Sequence, residues 1–145
     1  MAREAVILYA ESSALLAWFL KEPAGGRVRE LLRSAEMVVS SVITPAECQR
    51  AVRRALAAER LTPEAAEEAH AAVVRAAATW VLQKVNNKVL ALAAGAFPAE
   101  PVRTLDAIHL ASARLFQRRM AAIVLLTLDE RIRRNAEALG IPLAP

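Results

Sequence analysis

The sequence predicts a three-layer α/β/α domain with a mostly parallel central sheet, on three observations. Two apolar runs, 5–10 and 122–127, have the unbroken hydrophobicity of strands buried on both faces. Segments with apolar residues at helical spacing alternate with these and with shorter strand-like runs, which is the order of a sheet covered by helices. Proline, glycine and capping residues mark most of the changes of element. At 145 residues, 56% of them apolar, the chain has the size and core-forming content of one domain, expected over 1–145.

In chain order, the run 5–10 is the first strand and ends abruptly at Glu11-Ser12-Ser13. These polar residues can cap a helix whose apolar positions Leu15, Leu16, Phe19 and Leu20 precede Pro23. A second helix fits 26–36, with Val28, Leu31 and Leu32 on one face and arginines on the other. Residues 37–40 are short and apolar, the next strand. Thr44-Pro45-Ala46-Glu47 has the order of a capping box with proline at the first helical position, so a helix is expected from there to about Arg60. Thr62-Pro63 repeats the start signal for a helix to Ala78, and the two form a helical hairpin.

Residues 80–83 are read as an edge-like strand, although the helical pattern on either side also runs through them. A helix over 86–94 follows, then a loop marked by Gly95, Pro98 and Pro101. Thr104 is expected to cap a helix to about Arg119. After the strand 122–127, Asp129 opens a last helix that closes at Leu139-Gly140, and 141–144 offers a final short strand. No internal repeat, linker or low-complexity tract is visible.

Several function classes are excluded by composition. Charged residues interrupt every apolar run before it is long enough to cross a bilayer, so no membrane association is expected. Met-Ala-Arg-Glu leads into a run too short for a secretory signal and without its cleavage site, and Cys48, the sole cysteine, allows neither an intrachain disulfide nor a cysteine zinc site. A cytoplasmic protein is expected. The net charge of +4 permits a polyanionic partner without requiring one.

Ligands of open parallel sheets bind beyond the carboxyl ends of the strands, where Glu11 and Asp129 fall. Glu47 and Asp106 lie in first turns of helices that can point back to that edge. Four converging acids repel one another unless cations sit among them, and hard oxygen donors suit Mg²⁺ or Mn²⁺. Such a site hydrolyses phosphodiesters without a serine, cysteine or histidine nucleophile. Taken singly, Glu47 and Asp106 read more readily as helix-start acids, Asp129 as a cap and Glu11 as a solvent-facing loop acid.

The local strings add a resemblance. Tyr9-Ala-Glu-Ser-Ser-Ala14, Ser40-Ser41-Val-Ile-Thr-Pro-Ala-Glu47, Arg103-Thr-Leu-Asp-Ala-Ile-His-Leu-Ala111 and Leu126-Thr-Leu-Asp129 resemble, in order, the four motifs of PIN-domain ribonucleases of the VapC toxin type. The resemblance spans Tyr9 to Gly140 and implies an Mg²⁺- or Mn²⁺-dependent endoribonuclease, the toxin of a type II toxin–antitoxin pair. It further implies that Glu11, Glu47, Asp106 and Asp129 hold the metal, supported by Ser13 and Thr127, and that the partners are RNA, a VapB-like antitoxin and a second copy in a homodimer.

One position departs from the pattern: the family normally has aspartate where this chain has Glu11. The alternative is therefore a catalytically weak PIN-fold module that still binds RNA or antitoxin. Arg50, Arg53, Arg103 and Arg131, with Arg54, Arg133 and Arg134 nearby, are candidates for a phosphate-guiding rim, although a solvated helix face is the commoner meaning of such residues. His109 shares a helix face with Asp106 but is assigned a packing role, and His70 no function. Trp18, Phe19, Trp80 and Phe116 are read as core or interface rather than a base-stacking platform. A nucleotide-binding α/β protein is disfavoured, because the loop after the first strand is acidic and lacks glycine.

Overall fold

Alternate residues of the buried strands point to opposite faces of one sheet, and each face is closed by its own set of helices. The structure, a computed structural model, describes residues 5–120 and 122–145; the N-terminal start at 1–4 lies outside the described residues. Its elements are β1 (Ile7–Ala10), α1 (Ser12–Phe19), α2 (Gly25–Ser34), β2 (Met37–Ser41), α3 (Thr44–Ala57), α4 (Pro63–Ala77), β3 (Val81–Gln83), α5 (Asn87–Ala93), α6 (Thr104–Arg119), β4 (Ile123–Leu126) and α7 (Glu130–Leu139). The strands run in the order β3-β2-β1-β4, all parallel. Register pairs Tyr9 with Val39 on one side and with Leu125 on the other.

On one face, Tyr9, Val39, Ile123 and Leu125 pack against Leu110 and Phe116 of α6 and Ile132 and Ala136 of α7. On the other, Ala10 meets Leu15, Phe19, Cys48, Val73 and Trp80, while Leu8 and Leu126 meet Ala14 and Val28. This is the expected α/β/α layering. Gly25 permits it locally, since a Cβ there would run into the Ala17 carbonyl oxygen, so closely does α2 start against α1. The α3–α4 hairpin closes over Val52, Ala66 and Ala69, and Phe19, Trp80 and Phe116 are core residues as expected.

The helix ends follow the local signals only in part. Thr62 caps α4 by accepting from the Ala65 amide, and Gly140 closes α7 in the left-handed conformation. Thr44 does not cap α3: the N-cap is Ile43, with no side-chain capping bond. The Thr44 side chain is buried and shares a 2.7 Å hydrogen bond with Ser40, which also donates to the Ala10 carbonyl. Thr104 likewise is the first residue of α6 rather than its cap. The predicted final strand is reduced to a single parallel bridge between Leu125 and Leu143.

β1 is flanked by β2 on one side and by β4 on the other, so the chain departs in opposite directions from the ends of β1 and β4. The crevice at that point, beyond the carboxyl ends of both strands, is where such sheets bind ligands.

Candidate acidic site at the sheet edge

All four predicted acids lie at the N-terminus of a helix. Glu11 is the N-cap of α1, Glu47 and Asp106 are in the first turns of α3 and α6, and Asp129 is the N-cap of α7. The positive ends of the helix dipoles stabilise negative charge there, which lets the protein tolerate four carboxylates at one edge before any cation arrives. The chain achieves this because each strand end or loop is followed at once by a helix.

Glu11 is only 3% exposed, which excludes a solvent-facing loop acid. Its Oε2 accepts from the Ser13 amide at 2.9 Å, from the Thr127 hydroxyl at 2.9 Å and from the Ser13 hydroxyl, and its Oε1 accepts from Ser12 at 3.1 Å. Ser13 and Thr127, predicted as supporting residues, thus bind the first acid directly. Ser13 Oγ accepts from the Leu128 amide and Thr127 Oγ1 from the Asp129 amide, so the network passes from the end of β1 to the loop that presents Asp129. Asp129 Oδ1 in turn accepts from the Arg131 and Ile132 amides at 2.9 and 3.0 Å.

Glu47 is not the partner of a capping box. Its Oε1 lies 2.5 Å from His109 Nε2, while His109 Nδ1 lies 2.8 Å from the Tyr9 hydroxyl. A carboxylate only accepts, so His109 Nε2 donates to Glu47, while Nδ1 shares its hydrogen bond with the Tyr9 hydroxyl. His109 is fully buried, and its predicted packing role is real, but it is also the group that orients one of the acids. Tyr9 was not legible as part of the site, because an aromatic in an apolar strand is indistinguishable in sequence from core.

Among the described residues, Asp106 is the carboxylate left without such partners. Burial, then the charges of Asp129 and Glu11, raise its pKa; His109 partly offsets this and Glu47 adds to it. All three other acids therefore stand near enough to Asp106 to act on it electrostatically. Cys48, beneath the site, is pushed up to about 12 by burial and the nearby Glu47 and Glu11 charges, and at that value is no nucleophile.

The four carboxylates fit a hard cation such as Mg²⁺ or Mn²⁺ in donor type and charge. Among the described residues, no three acidic, histidine or cysteine side chains close on one point as a ready metal cage. Glu11, Glu47 and Asp129 are drawn back onto hydrogen-bond donors, each with oxygen capacity remaining, and Asp106 is free. The candidate rim residues Arg50, Arg53, Arg103 and Arg131 are exposed, as is Arg54, and Arg133 is held to the Thr127 carbonyl at 3.1 Å. His70, given no function, bonds Gln49 on the neighbouring helix.

Comparison with known proteins places the chain in a family. The PIN domain family matches residues 8–138. Ribonuclease VapC46 of Mycobacterium tuberculosis (strain ATCC 25618 / H37Rv) is 37% identical over 134 residues, covering 92% of this chain and 93% of that protein. Ribonuclease VapC35 of Mycobacterium tuberculosis (strain CDC 1551 / Oshkosh) is 28% identical over 138 residues, 93% of each chain. The solved structure of FitAB bound to the IR36 DNA fragment superposes with a TM-score of 0.63 at 18% identity, over 96% of this chain and 93% of that one, and shows the same fold. The chain belongs to the PIN-domain family and is of the VapC type.

Proposed function

We propose that this chain, as one PIN domain, is a divalent-metal-dependent endoribonuclease and the toxin of a type II toxin–antitoxin pair. The observation that carries the proposal is the electrostatic convergence of Glu11, Glu47 and Asp129 on a half-buried Asp106 at the switch point of the sheet. Its relatives' names as ribonucleases VapC46 and VapC35 support the same reading.

Asp106 and the free oxygen of Asp129 are the foremost ligands in this proposal, with the second oxygen of Glu47 and Oε1 of Glu11 completing the set. Mg²⁺ or Mn²⁺, when bound, supplies Lewis-acid polarisation of the phosphate and a water of lowered pKa. The chain's own contribution is orientation: His109 holds Glu47, and Ser13 and Thr127 hold Glu11 and the Asp129 loop. Arg50, Arg53, Arg103 and Arg131 are proposed to guide the RNA backbone toward the acids.

For the VapB-like antitoxin we assign the groove of about 400 Å³ formed by α1, α2, α4, β2 and the turn before β3. Trp18, Leu32 and Trp80 give it an apolar floor, and Arg29, Arg33 and Arg75 a basic margin suited to an acidic amphipathic segment. A homodimer is proposed as well, to be tested by sedimentation. Among the described residues no helix is long and apolar enough to cross a membrane; a cytoplasmic site of action belongs to the proposal.

The test is cleavage of a mixed RNA pool by the purified, antitoxin-free protein with Mn²⁺, with Mg²⁺ and with a chelator, beside Asp106→Asn. Cutting that needs the metal and is lost in the variant is the expected result. The saturated Oε2 of Glu11 favours a second reading, a PIN-fold binding module with weakened catalysis. An inactive protein that gains metal-dependent cleavage as Glu11→Asp would decide for it.

A further inference from the structure

A groove of about 750 Å³ lies apart from the acidic pocket, between the end of β3, α5 and the last turn of α6, lined by Lys88, Arg118 and Arg119 with the amides of Gln83 and Asn86. Among the described residues its lining contains no carboxylate. Three cations without a counter-charge in a concave surface form a site for a polyanion, since field lines are focused there and counterions are available for release.

Arg119 gives the groove a fixed element. Its Nη2 donates to Gln83 Oε1, and its guanidinium lies over the Phe116 ring, 5.4 Å from the centroid. Phe116 is itself core, so Arg119, although exposed, has its guanidinium tethered over a rigid ring. Lys88 and Arg118 are exposed and free to close on a bound anion. Neither residue stood out in the sequence, because Lys88 sits alone and Arg118-Arg119 reads as the ordinary basic end of a helix.

The position of the groove fixes what the anion is. Asp106 is in the first turn of α6 and Arg118 in its last, twelve residues on, or about 18 Å along the axis. A nucleic-acid strand rises about 3.4 Å per stacked nucleotide, so roughly five nucleotides separate a phosphate at the acids from one at Arg118. We propose that this groove is a second backbone-binding site that holds the RNA strand several nucleotides from the scissile phosphate. It rests on the endoribonuclease reading above for the placement of that phosphate. The site recognises phosphates and carries no base readout, because its lining offers no exposed aromatic for stacking.

The test uses the full chain and two fluorescein-labelled RNAs of mixed sequence, a 12-mer and a 4-mer too short to span the separation, with anisotropy read in EDTA over a series of salt concentrations. Removing one cation that neutralises a phosphate should reduce the slope of log affinity against log salt by about 0.7. In Lys88→Gln/Arg118→Gln the 12-mer should bind about tenfold more weakly at low salt, with the slope reduced by about 1.4. Binding of the 4-mer, and Mn²⁺-dependent cleavage of the 12-mer at saturation, should stay as in the wild type. The charge-retaining Lys88→Arg/Arg118→Lys should restore the slope.

An unchanged 12-mer slope in the double variant overturns the proposal, as does an equal loss for the 4-mer, which would make the effect a general field. Loss of binding to a poly-glutamate peptide with RNA binding intact also overturns it, in favour of a protein partner. The nuclease reading fails separately, if the wild type binds the 12-mer through the groove yet does not cut it with Mn²⁺.

Discussion

Glu11 and Asp106 stand at the same edge of the sheet, each at the start of a helix, and their surroundings are opposite. Glu11 is buried and accepts from two serines, a threonine and a backbone amide. Asp106 is half-buried, has no hydrogen bond among the causes of its shift, and is loaded by three neighbouring negative charges. The protein thus meets the oxygens of one acid with its own donors and leaves those of the other open to a group from outside. A carboxylate that needs a cation is a better ligand than one already satisfied, and this contrast divides the four acids by role more sharply than their matching positions in the sequence do.

The largest effect should come from Asp106→Asn. Metal-dependent cleavage is expected to fall by at least about a hundredfold, on the scale of losing a ligand that the remaining acids cannot replace. The same variant should melt at a higher temperature than the wild type in metal-free buffer. The sign follows from linkage: with its folded pKa raised, Asp106 binds a proton more tightly when folded, so its contribution favours the fold at low pH and is lost as pH rises through the carboxylate range. The gap between variant and wild type should therefore widen from acid to neutral pH, and added Mn²⁺ should narrow it by stabilising only the wild type. Thermal melts over a pH series with and without Mn²⁺ check both statements, and a variant that melts lower throughout would remove Asp106 from the repelled cluster.

The same acid-to-amide change at Glu11 should have the opposite sign. Glu11→Gln replaces an acceptor of four hydrogen bonds with a group that brings its own donors against Ser12, Ser13 and Thr127. A charge-assisted bond contributes about 1.5–3 kcal/mol, and an N-cap about 1 kcal/mol, so a loss of about 2 kcal/mol is expected in denaturant unfolding. Manganese affinity, measured by calorimetry, should fall less than in Asp106→Asn. If Glu11→Gln instead stabilises the metal-free protein, the two acids are alike and the distinction drawn between them collapses.

The sequence carried most of the architecture because the period of apolar residues survives in every long element, from the unbroken strand at Leu8 to the stripe of α4. The acids at Glu11, Glu47, Asp106 and Asp129 were equally legible as residues, since each falls at a strand end or a helix start. Their hydrogen-bond partners were less so. The capping box at Thr44 and Glu47 is locally persuasive, yet Thr44 is taken by buried Ser40 and Glu47 by His109, sixty-two positions away, and tertiary partners override a local preference worth about 1 kcal/mol. The basic groove was invisible for a related reason: Lys88 and Arg119 come together only through the packing of α5 on α6.

The smallest effect, and the finest probe of how Glu47 is held, is Tyr9→Phe. The substitution keeps the ring that packs against Phe116 and Val39 and removes one hydroxyl, leaving His109 Nδ1 buried without its hydrogen-bond partner. A neutral hydrogen bond contributes about 1 kcal/mol, so unfolding should show a loss of that order. More telling is the ring: without Tyr9 the imidazole is held through one nitrogen only, and the bond to Glu47 loosens. The expected result is a several-fold fall in manganese affinity with RNA binding in EDTA unchanged. Nitrogen chemical shifts of His109 in wild type and variant report the tautomer directly. An unchanged tautomer together with unchanged manganese affinity would mean that Glu47 is oriented by its place on α3 alone, and that Glu47, like Asp106, relies on no buried network for its position.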